Sequence, residues 1–391
     1  MTQRSSVSGK GEGRGSGSPP RHKHQPGERV MQVATRSAAQ TFQIKYHDGK
    51  RFVYCEHCKS PAQNSIVTHL KKKHPQVWRG YVATFAELRE QGYSYKKIMW
   101  HFGRAFSWTV IERALVEQGI PPAPAKRRRD LPLQPSSFRE ESTTLWSFEN
   151  RGSWAVHDAV YRGNWAPEVP RNLILRYSKK GDWVLDPFIG GGTTAIECLL
   201  LGRKCIGYDI SPGAIALTRN KVRLLKRRAL KEKKKRQARR IREDVVRVYL
   251  GDARAMKSVP DSSVQLVCAH PPYLDIIGYT RRNPADLSTI SDADRYIREM
   301  RKIALEVFRC LKPGGTFSVL IGDVRRNGTV IPLGLKVLNA LLDTFDLQEI
   351  ILKKQNRCQT TPFWKNHRFL QIQHEYLFVL RKPHPQELAG G

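Results

Sequence analysis

Residues 182–212 read DWVLDPFIGGGTTAIECLLLGRKCIGYDISP, and this stretch decides the fold. An apolar strand signal, DWVLD (182–186), runs straight into three consecutive glycines, Gly190, Gly191 and Gly192. From Thr193 a helical pattern carries the chain to a second strand signal, KCIGYD (204–209). Glycines at the end of a strand let the backbone turn tightly and approach a ligand closely. Asp209, closing the second strand, is placed to accept hydrogen bonds from ribose hydroxyls. Together these are the parts of a nucleotide-binding strand–loop–helix–acid unit. On these residues alone it could hold a nicotinamide dinucleotide or S-adenosylmethionine.

Working outward, apolar strand patterns alternate with helical ones from about residue 145 onward. The remaining strand signals are VVRVYL (245–250), VQLVCA (264–269), TFSVLIG (316–322), QEIILKK (348–354) and HEYLFVLRK (374–382). Alternation of this kind predicts a doubly wound α/β domain with a mainly parallel sheet. The fourth strand signal ends in His270-Pro271-Pro272-Tyr273. Proline cannot donate to a strand ladder and pushes its predecessor away from helical angles. The strand must therefore stop at His270 and leave by a rigid extended turn. Read in isolation, this is an ordinary proline-rich strand exit.

The wording around the glycines is more specific. DPFIGGGTT followed by GRKCIGYDISP closely resembles the cofactor motif of the DNA amino-methyltransferases, enzymes that act on the exocyclic amines of cytosine or adenine. The resemblance covers roughly residues 145–383. It implies a seven-stranded methyltransferase fold in which Asp186, Pro187, Phe188, Gly190, Gly192, Thr193 and Thr194 cradle the methionine part of S-adenosylmethionine. By the same resemblance Asp209 holds the ribose, Asp252 contacts the adenine, and RGNWAPEVPRNLI (162–174) closes over the methionine end. With the resemblance, the nicotinamide reading falls behind.

That family carries its catalytic tetrapeptide, Asp/Asn/Ser-Pro-Pro-Tyr/Phe/Trp, at the end of the fourth strand. Here the tetrapeptide is His270-Pro271-Pro272-Tyr273. An exocyclic amine is a weak nucleophile because its lone pair is delocalised into the ring. A side-chain acceptor at the first position and a carbonyl at the second can each take an N–H, which draws the nitrogen towards tetrahedral geometry. Two prolines fix the carbonyl direction in advance. Tyr273 is expected to offer a flat face to a base extruded from the duplex. Histidine departs from the family pattern at the first position, so the preference for cytosine N4 or adenine N6 does not carry over. A neutral imidazole can still accept one hydrogen bond, and it could also take the proton the methylated amine must lose.

Lys and Arg outnumber Asp and Glu by 68 to 35 over 391 residues, a formal charge of +33 that suits a polyanionic partner. No apolar run approaches the roughly 18 residues of a membrane-spanning helix. The seven cysteines form no disulfide framework, which fits a reducing compartment where the DNA is kept. Residues 1–35 read as a disordered basic tail rather than a secretory signal. Residues 121–144 read as a Pro-rich basic linker, and 384–391 as a short tail. KVRLLKRRALKEKKKRQARRIRED (221–244) reads as one long basic helix, with basic residues exceeding acidic ones about four to one. Such a run is commonly a solvated face, but its uncompensated charge favours phosphate contact.

The expected reader of sequence is residues 36–120. Cys55 and Cys58, then His69 and His74, have the spacing of a structural zinc site, with two thiolates from a hairpin and two imidazoles from a helix. Lys59, Lys71, Lys72 and Lys73 suit a phosphate-facing finger. After it, residues 85–120 read as three short helices broken at Gly92 and Gly103 and capped by Ser94 and Ser107, a helix-turn-helix pattern or an ordinary helical triad. The expectation is thus a site-specific methyltransferase acting on duplex DNA, with a cognate nuclease as a conceivable partner. The rivals are an RNA or tRNA guanine-N2 methyltransferase, which uses a similar tetrapeptide, and a zinc-finger DNA-binding protein with a vestigial methyltransferase fold.

Overall fold

The structure is a computed structural model that describes residues 42–47, 50–55, 57–61, 66–91, 93, 95–102, 105–118, 120, 131–231, 245–280, 283–356 and 369–388. The chain divides into two units, Met1–Pro75 with Met99–Phe106, and Gln76–Ile98 with Ser107–Gly391. In the first, strands β1 (Phe42–His47), β2 (Lys50–Cys55) and β3 (Ser60–Pro61) form a small antiparallel sheet, followed by the helix Ile66–Lys73.

The second unit is built on one eight-stranded sheet. Its strands are β4 (Leu145–Ser147), β5 (Trp183–Asp186), β6 (Lys204–Asp209), β7 (Val246–Leu250), β8 (Val264–Ala269) and β9 (Leu311–Ile321), with β12 (Asp346–Lys354) and β13 (His374–Arg381). Between β9 and β12 lies a separate hairpin, β10 (Val324–Arg326) and β11 (Thr329–Ile331). It turns through Asn327 and Gly328, both with positive φ, as a tight two-residue hairpin requires. The sheet order is β4-β12-β13-β9-β8-β5-β6-β7. Strands β9, β8, β5, β6 and β7 run parallel, and β13 is antiparallel to both β9 and β12.

All seven strands expected from the sequence lie in this sheet, most within two residues of their predicted bounds. Strand β9 starts earlier, at Leu311, and the short β4 is an addition. Three tripeptide-length strands are hard to see because period-2 alternation needs four or more residues to register.

Apolar side chains fill both faces. On one, Tyr296, Met300, Ile303 and Val307 of the helix Ala293–Cys310 and Leu333, Val337 and Leu341 of the helix Leu333–Leu342 pack on β8 and β9. On the other, Leu173, Ile196, Leu199, Ile215 and Leu225 come from the helices Glu168–Tyr177, Thr193–Leu201 and Pro212–Lys231. Helices on both faces make the sheet doubly wound. The six described cysteines are free thiols. Among the described residues no helix is long and apolar enough to cross a membrane.

Three helices follow the zinc-spaced residues, at Pro75–Glu90, Tyr95–His101 and Trp108–Glu117. Ser107 caps the last, accepting from Val110 N at 3.3 Å, whereas Gly92, Ser94 and Gly103 lie outside the described residues. This helix buries Ile111, Ala114, Leu115 and Val116 and neighbours the helix Pro212–Lys231. The basic stretch 221–244 is helical to Lys231; residues 232–244, like the tail 1–35 and residues 121–130 of the linker, lie outside the described residues.

Candidate active site

Chain order reverses between β8 and β5: from β5 the chain builds outward to β6 and β7, then returns to place β8 on β5's other side. Ligands of doubly wound sheets bind beyond the carboxyl ends of the strands at such a switch point. Here the glycine loop leaves the end of β5 and His270 leaves the end of β8, so topology alone makes the two motifs neighbours. Between them opens a cleft of about 730 Å³, counting its mouth, within the range of small-molecule sites. Pro187, Phe188, Gly190, Asp209, Asp252, His270 and Pro272 border it.

Asp186 does not border the cleft; it ties the loop together. Its carboxylate accepts from Phe188 N at 2.9 Å and from the Thr194 hydroxyl at 2.5 Å. Burial raises its pKa to about 7, with the Thr194 and Phe188 bonds opposing the shift and Asp209 adding to it. Gly192 starts the helix at φ 78°, and a Cβ there would sit 2.8 Å from Thr218 Oγ1. Thr193 and Thr194 are buried in the first turn of that helix. Asp209 accepts from Gly190 N at 2.9 Å and Ser211 N at 2.8 Å, and burial raises its pKa to about 6. Asp252 is gripped by Arg254, whose Nη2 lies 2.6 Å from Oδ2 and which also pairs with Glu299.

The segment 162–174 does reach the glycine loop. Asn164 Oδ1 accepts from Gly191 N at 3.2 Å, and a Cβ on residue 191 would meet Asn164 Nδ2 at 2.5 Å, so a side chain there would displace Asn164. Asn164 Nδ2 itself is buried without a hydrogen-bond partner. A buried, unpaired amide donor beside a glycine cradle is a costly feature unless a ligand completes it. Its chemistry suits a carboxylate such as that of the methionine part of S-adenosylmethionine, while Asp209 suits a ribose. The residues present therefore fit that cofactor.

At the end of β8, the Tyr296 hydroxyl donates to Pro272 O at 2.8 Å and holds the turn. The next residue but one, Leu274, is buried at φ 51°, a strained conformation for a branched side chain. Trp165 stacks on His270, with centroids 5.5 Å apart and planes 20° apart. His270 Nε2 lies 2.9 Å from the Tyr273 hydroxyl, which donates to Glu375 Oε1 at 2.8 Å. Lys353, cross-strand neighbour of Glu375, donates to Oε2 at 2.6 Å. Burial pushes the His270 pKa down to about 4; Glu375 opposes this, and Lys353 and Arg151 add to it. Burial acts to raise the Glu375 pKa, but Lys353 and His270 hold it below its ordinary value. Tyr273 does not border the cleft; its ring lies over Gly322, where a Cβ would come within 3.0 Å. Pro271 is buried beside it.

In the first unit, Cys55, Cys58, His69 and His74 converge, each offering a ligand atom within 4.8 Å of the others. Cys58 Sγ and His69 Nε2 are 3.2 Å apart, and His74 Nε2 is buried without a hydrogen-bond partner. His57 is exposed, its ring 5.4 Å from that of His74.

The model of the DNA methylase family, the N6 and N4 methyltransferases, matches residues 30–220 and 264–389, on either side of the basic stretch. The chain belongs to this family. A second model, of the RMKL-like methyltransferase domain, matches residues 173–299. Among curated relatives, the type II methyltransferase M.MjaI of Methanocaldococcus jannaschii is 32% identical over 112 residues, 26% of this chain and 37% of that protein. The type II methyltransferase M.SmaI of Serratia marcescens is 35% identical over 94 residues, 24% of this chain and 30% of that protein. The chain thus spans about a third of the length of these two relatives. A solved S-adenosylmethionine-dependent methyltransferase from Methanosarcina mazei is 16% identical, covering 54% of this chain and 97% of that one, with a TM-score of 0.35.

Several residues of the cleft carried no motif in the sequence. Tyr161 and Tyr279 stack at 6.1 Å across it, and Asp286 accepts from Thr280 N and Ser288 N at 2.7 and 2.8 Å. Asp286 sits in a proline-containing loop where an aspartate reads as a turn residue. Glu375 had a usable signal: it is a lone acid in the apolar strand HEYLFVL.

Proposed function

We propose that the methylase transfers a methyl group from S-adenosylmethionine to the exocyclic amine of a DNA base, cytosine N4 or adenine N6, flipped out of the duplex. The observation that carries this reading is that the glycine loop and, from the tetrapeptide, His270 and Pro272 border one cleft at the switch point. Family membership and the charge of +33 support it. When bound, the cofactor supplies an electrophilic sulfonium methyl. Asn164 and the Gly190–Gly192 backbone are the proposed hold on its amino-acid end. Asp209 is the hold on its ribose, and Phe188, Ile210 and Leu287 wall its adenine beside Asp252. His270 accepts one N–H of the target amine and the proline turn offers a carbonyl for the other, so the nitrogen lone pair is aimed at the cleft. The amine's spare proton passes to His270 or to water. The ring of Tyr273 is the proposed face for the extruded base.

Incubating the full chain with methyl-labelled cofactor and duplex DNA, then digesting and identifying the nucleoside, tests this. N4-methylcytosine or N6-methyladenine is expected. Label in guanine N2 of RNA instead would replace DNA by RNA as the substrate, and label in neither would favour a vestigial catalytic fold.

Cys55, Cys58, His69 and His74 are proposed to bind one structural zinc, supported by the orphaned His74 Nε2 and by a donor set that suits tetrahedral zinc. Metal analysis of protein purified without chelators should find one equivalent of zinc. Finding none removes the site. On this reading residues 36–120 would select the DNA sequence, with a cognate nuclease as a further partner to be sought.

A further inference from the structure

Histidine is an ambiguous acceptor. A carboxylate or amide oxygen always presents lone pairs, but a neutral imidazole carries one N–H and one bare nitrogen, and either nitrogen can be the bare one. A histidine at the first position of the tetrapeptide therefore works only if something chooses its tautomer. The bonds behind His270 make that choice.

Glu375 is buried, and its Oε2 is taken by Lys353 at 2.6 Å, so it stands as a carboxylate, an acceptor only. The Tyr273 hydroxyl, 2.8 Å from Oε1, must give its single proton to it. The phenol oxygen then has only lone pairs left for His270 Nε2, 2.9 Å away, so Nε2 must carry the N–H. That leaves Nδ1 bare. Trp165, stacked at 5.5 Å, fixes the plane of the ring so that the bare nitrogen keeps one direction.

We propose that Glu375, acting through the Tyr273 hydroxyl, sets the tautomer of His270 and so makes Nδ1 the acceptor for an N–H of the target amine. This rests on the methyl-transfer reading above. Glu375 and Tyr273 are positioning residues here, and the tyrosine hydroxyl has a task that its ring cannot perform. The family pattern allows phenylalanine at this place, so a role confined to stacking predicts that losing the hydroxyl costs little.

Two measurements decide the matter. Nitrogen-15 NMR of the full chain, labelled at histidine and assigned by the signal lost in His270→Asn, reads the tautomer directly without any substrate. A pyrrole-type Nε2 and a pyridine-type Nδ1 are expected at neutral pH; the reverse pattern overturns the proposal. In the second, Tyr273→Phe should lower kcat roughly 10- to 100-fold with little change in the KM for cofactor, the scale on which loss of an orienting partner acts. In a His270→Asn background, where no tautomer needs setting, the effect of Tyr273→Phe should be at least tenfold smaller. An equal loss in both backgrounds also overturns the proposal, while leaving methyl transfer intact. Failure of the wild-type chain to methylate any nucleic acid would instead sink the functional reading, and the NMR pattern would still decide the tautomer.

Discussion

The two strand ends that face each other across the cleft are closed in opposite ways. At the end of β5 the bonds span modest stretches of sequence: Asp186 reaches Phe188 and Thr194, two and eight residues on, Asp209 reaches back nineteen to Gly190, and Asn164 and Thr218 reach Gly191 and Gly190 across 27 and 28. At the end of β8, Tyr273 reaches three residues back to His270 and 102 forward to Glu375. The first is closed by its neighbours along the chain, with a shape that follows largely from glycines and caps. The second is shaped by a strand that the chain lays down last. The cofactor half of such a site can therefore be written into one local motif, whereas the half that handles the target amine depends on the completed sheet.

The sharpest way to break this contrast is to cut the long-range closure. Glu375→Ala would leave Lys353, itself only 14% exposed, and the Tyr273 hydroxyl without their carboxylate. Breaking a buried ion pair by removing one partner costs about 3–5 kcal/mol. Chemical denaturation should show that loss, while affinity for S-adenosylmethionine, measured by calorimetry on the folded fraction, should fall far less. If cofactor binding collapses as well, the two strand ends are not separable and the contrast fails.

That difference also explains what was legible in the sequence. The glycine loop, Asp209 and all seven main strands could be read because their signals are local: apolar runs, glycine clusters, a terminal acid. His270 could be singled out because two prolines follow it. Its partners could not, since nothing in HEYLFVLRK or QEIILKK says which residue Glu375 or Lys353 will face until β13 pairs with β9 and β12. Glu197 teaches the same lesson. It stands alone among apolar residues in TTAIECLLL, yet it is fully buried and gathers Trp154, His157 and Arg171 at 2.6 to 2.8 Å from sequence positions 26 to 43 residues away. A lone acid in an apolar stretch signals a buried partner without naming it.

A smaller effect is expected from Gly192→Ala, which attacks the local closure. At φ 78° an alanine pays the left-handed cost of ~1–2 kcal/mol. Its Cβ would also press on Thr218 at 2.8 Å, adding overpacking of ~1–3 kcal/mol. Here the order of losses should invert: cofactor affinity should drop more than tenfold, whereas the histidine NMR signature of residue 270 should persist in the folded protein. A changed tautomer in this variant would mean that the glycine loop also shapes the far side of the cleft.

The smallest effect sharpens the picture of the local loop through pH. Asp186 has a folded pKa raised from 3.8 to about 7, so its contribution to stability is full below 3.8 and is lost as pH rises through about 7. Asp209, raised to about 6, acts in the same direction. His270 acts the other way: its pKa is lowered to about 4, so its contribution is present above 6.5 and lost as pH falls through 4. Thr194→Val removes the hydroxyl that donates to Asp186 and favours its charged form. Below the Asp186 pKa the variant loses a hydrogen bond between neutral groups, ~1 kcal/mol; above it, a charge-assisted bond, ~2 kcal/mol. Denaturation at pH 5 and at pH 8 should therefore show a destabilisation that grows with pH, because the folded pKa of Asp186 has moved higher still. A difference independent of pH would mean that Asp186 does not ionise in the folded loop, and that backbone caps rather than charge hold the end of β5.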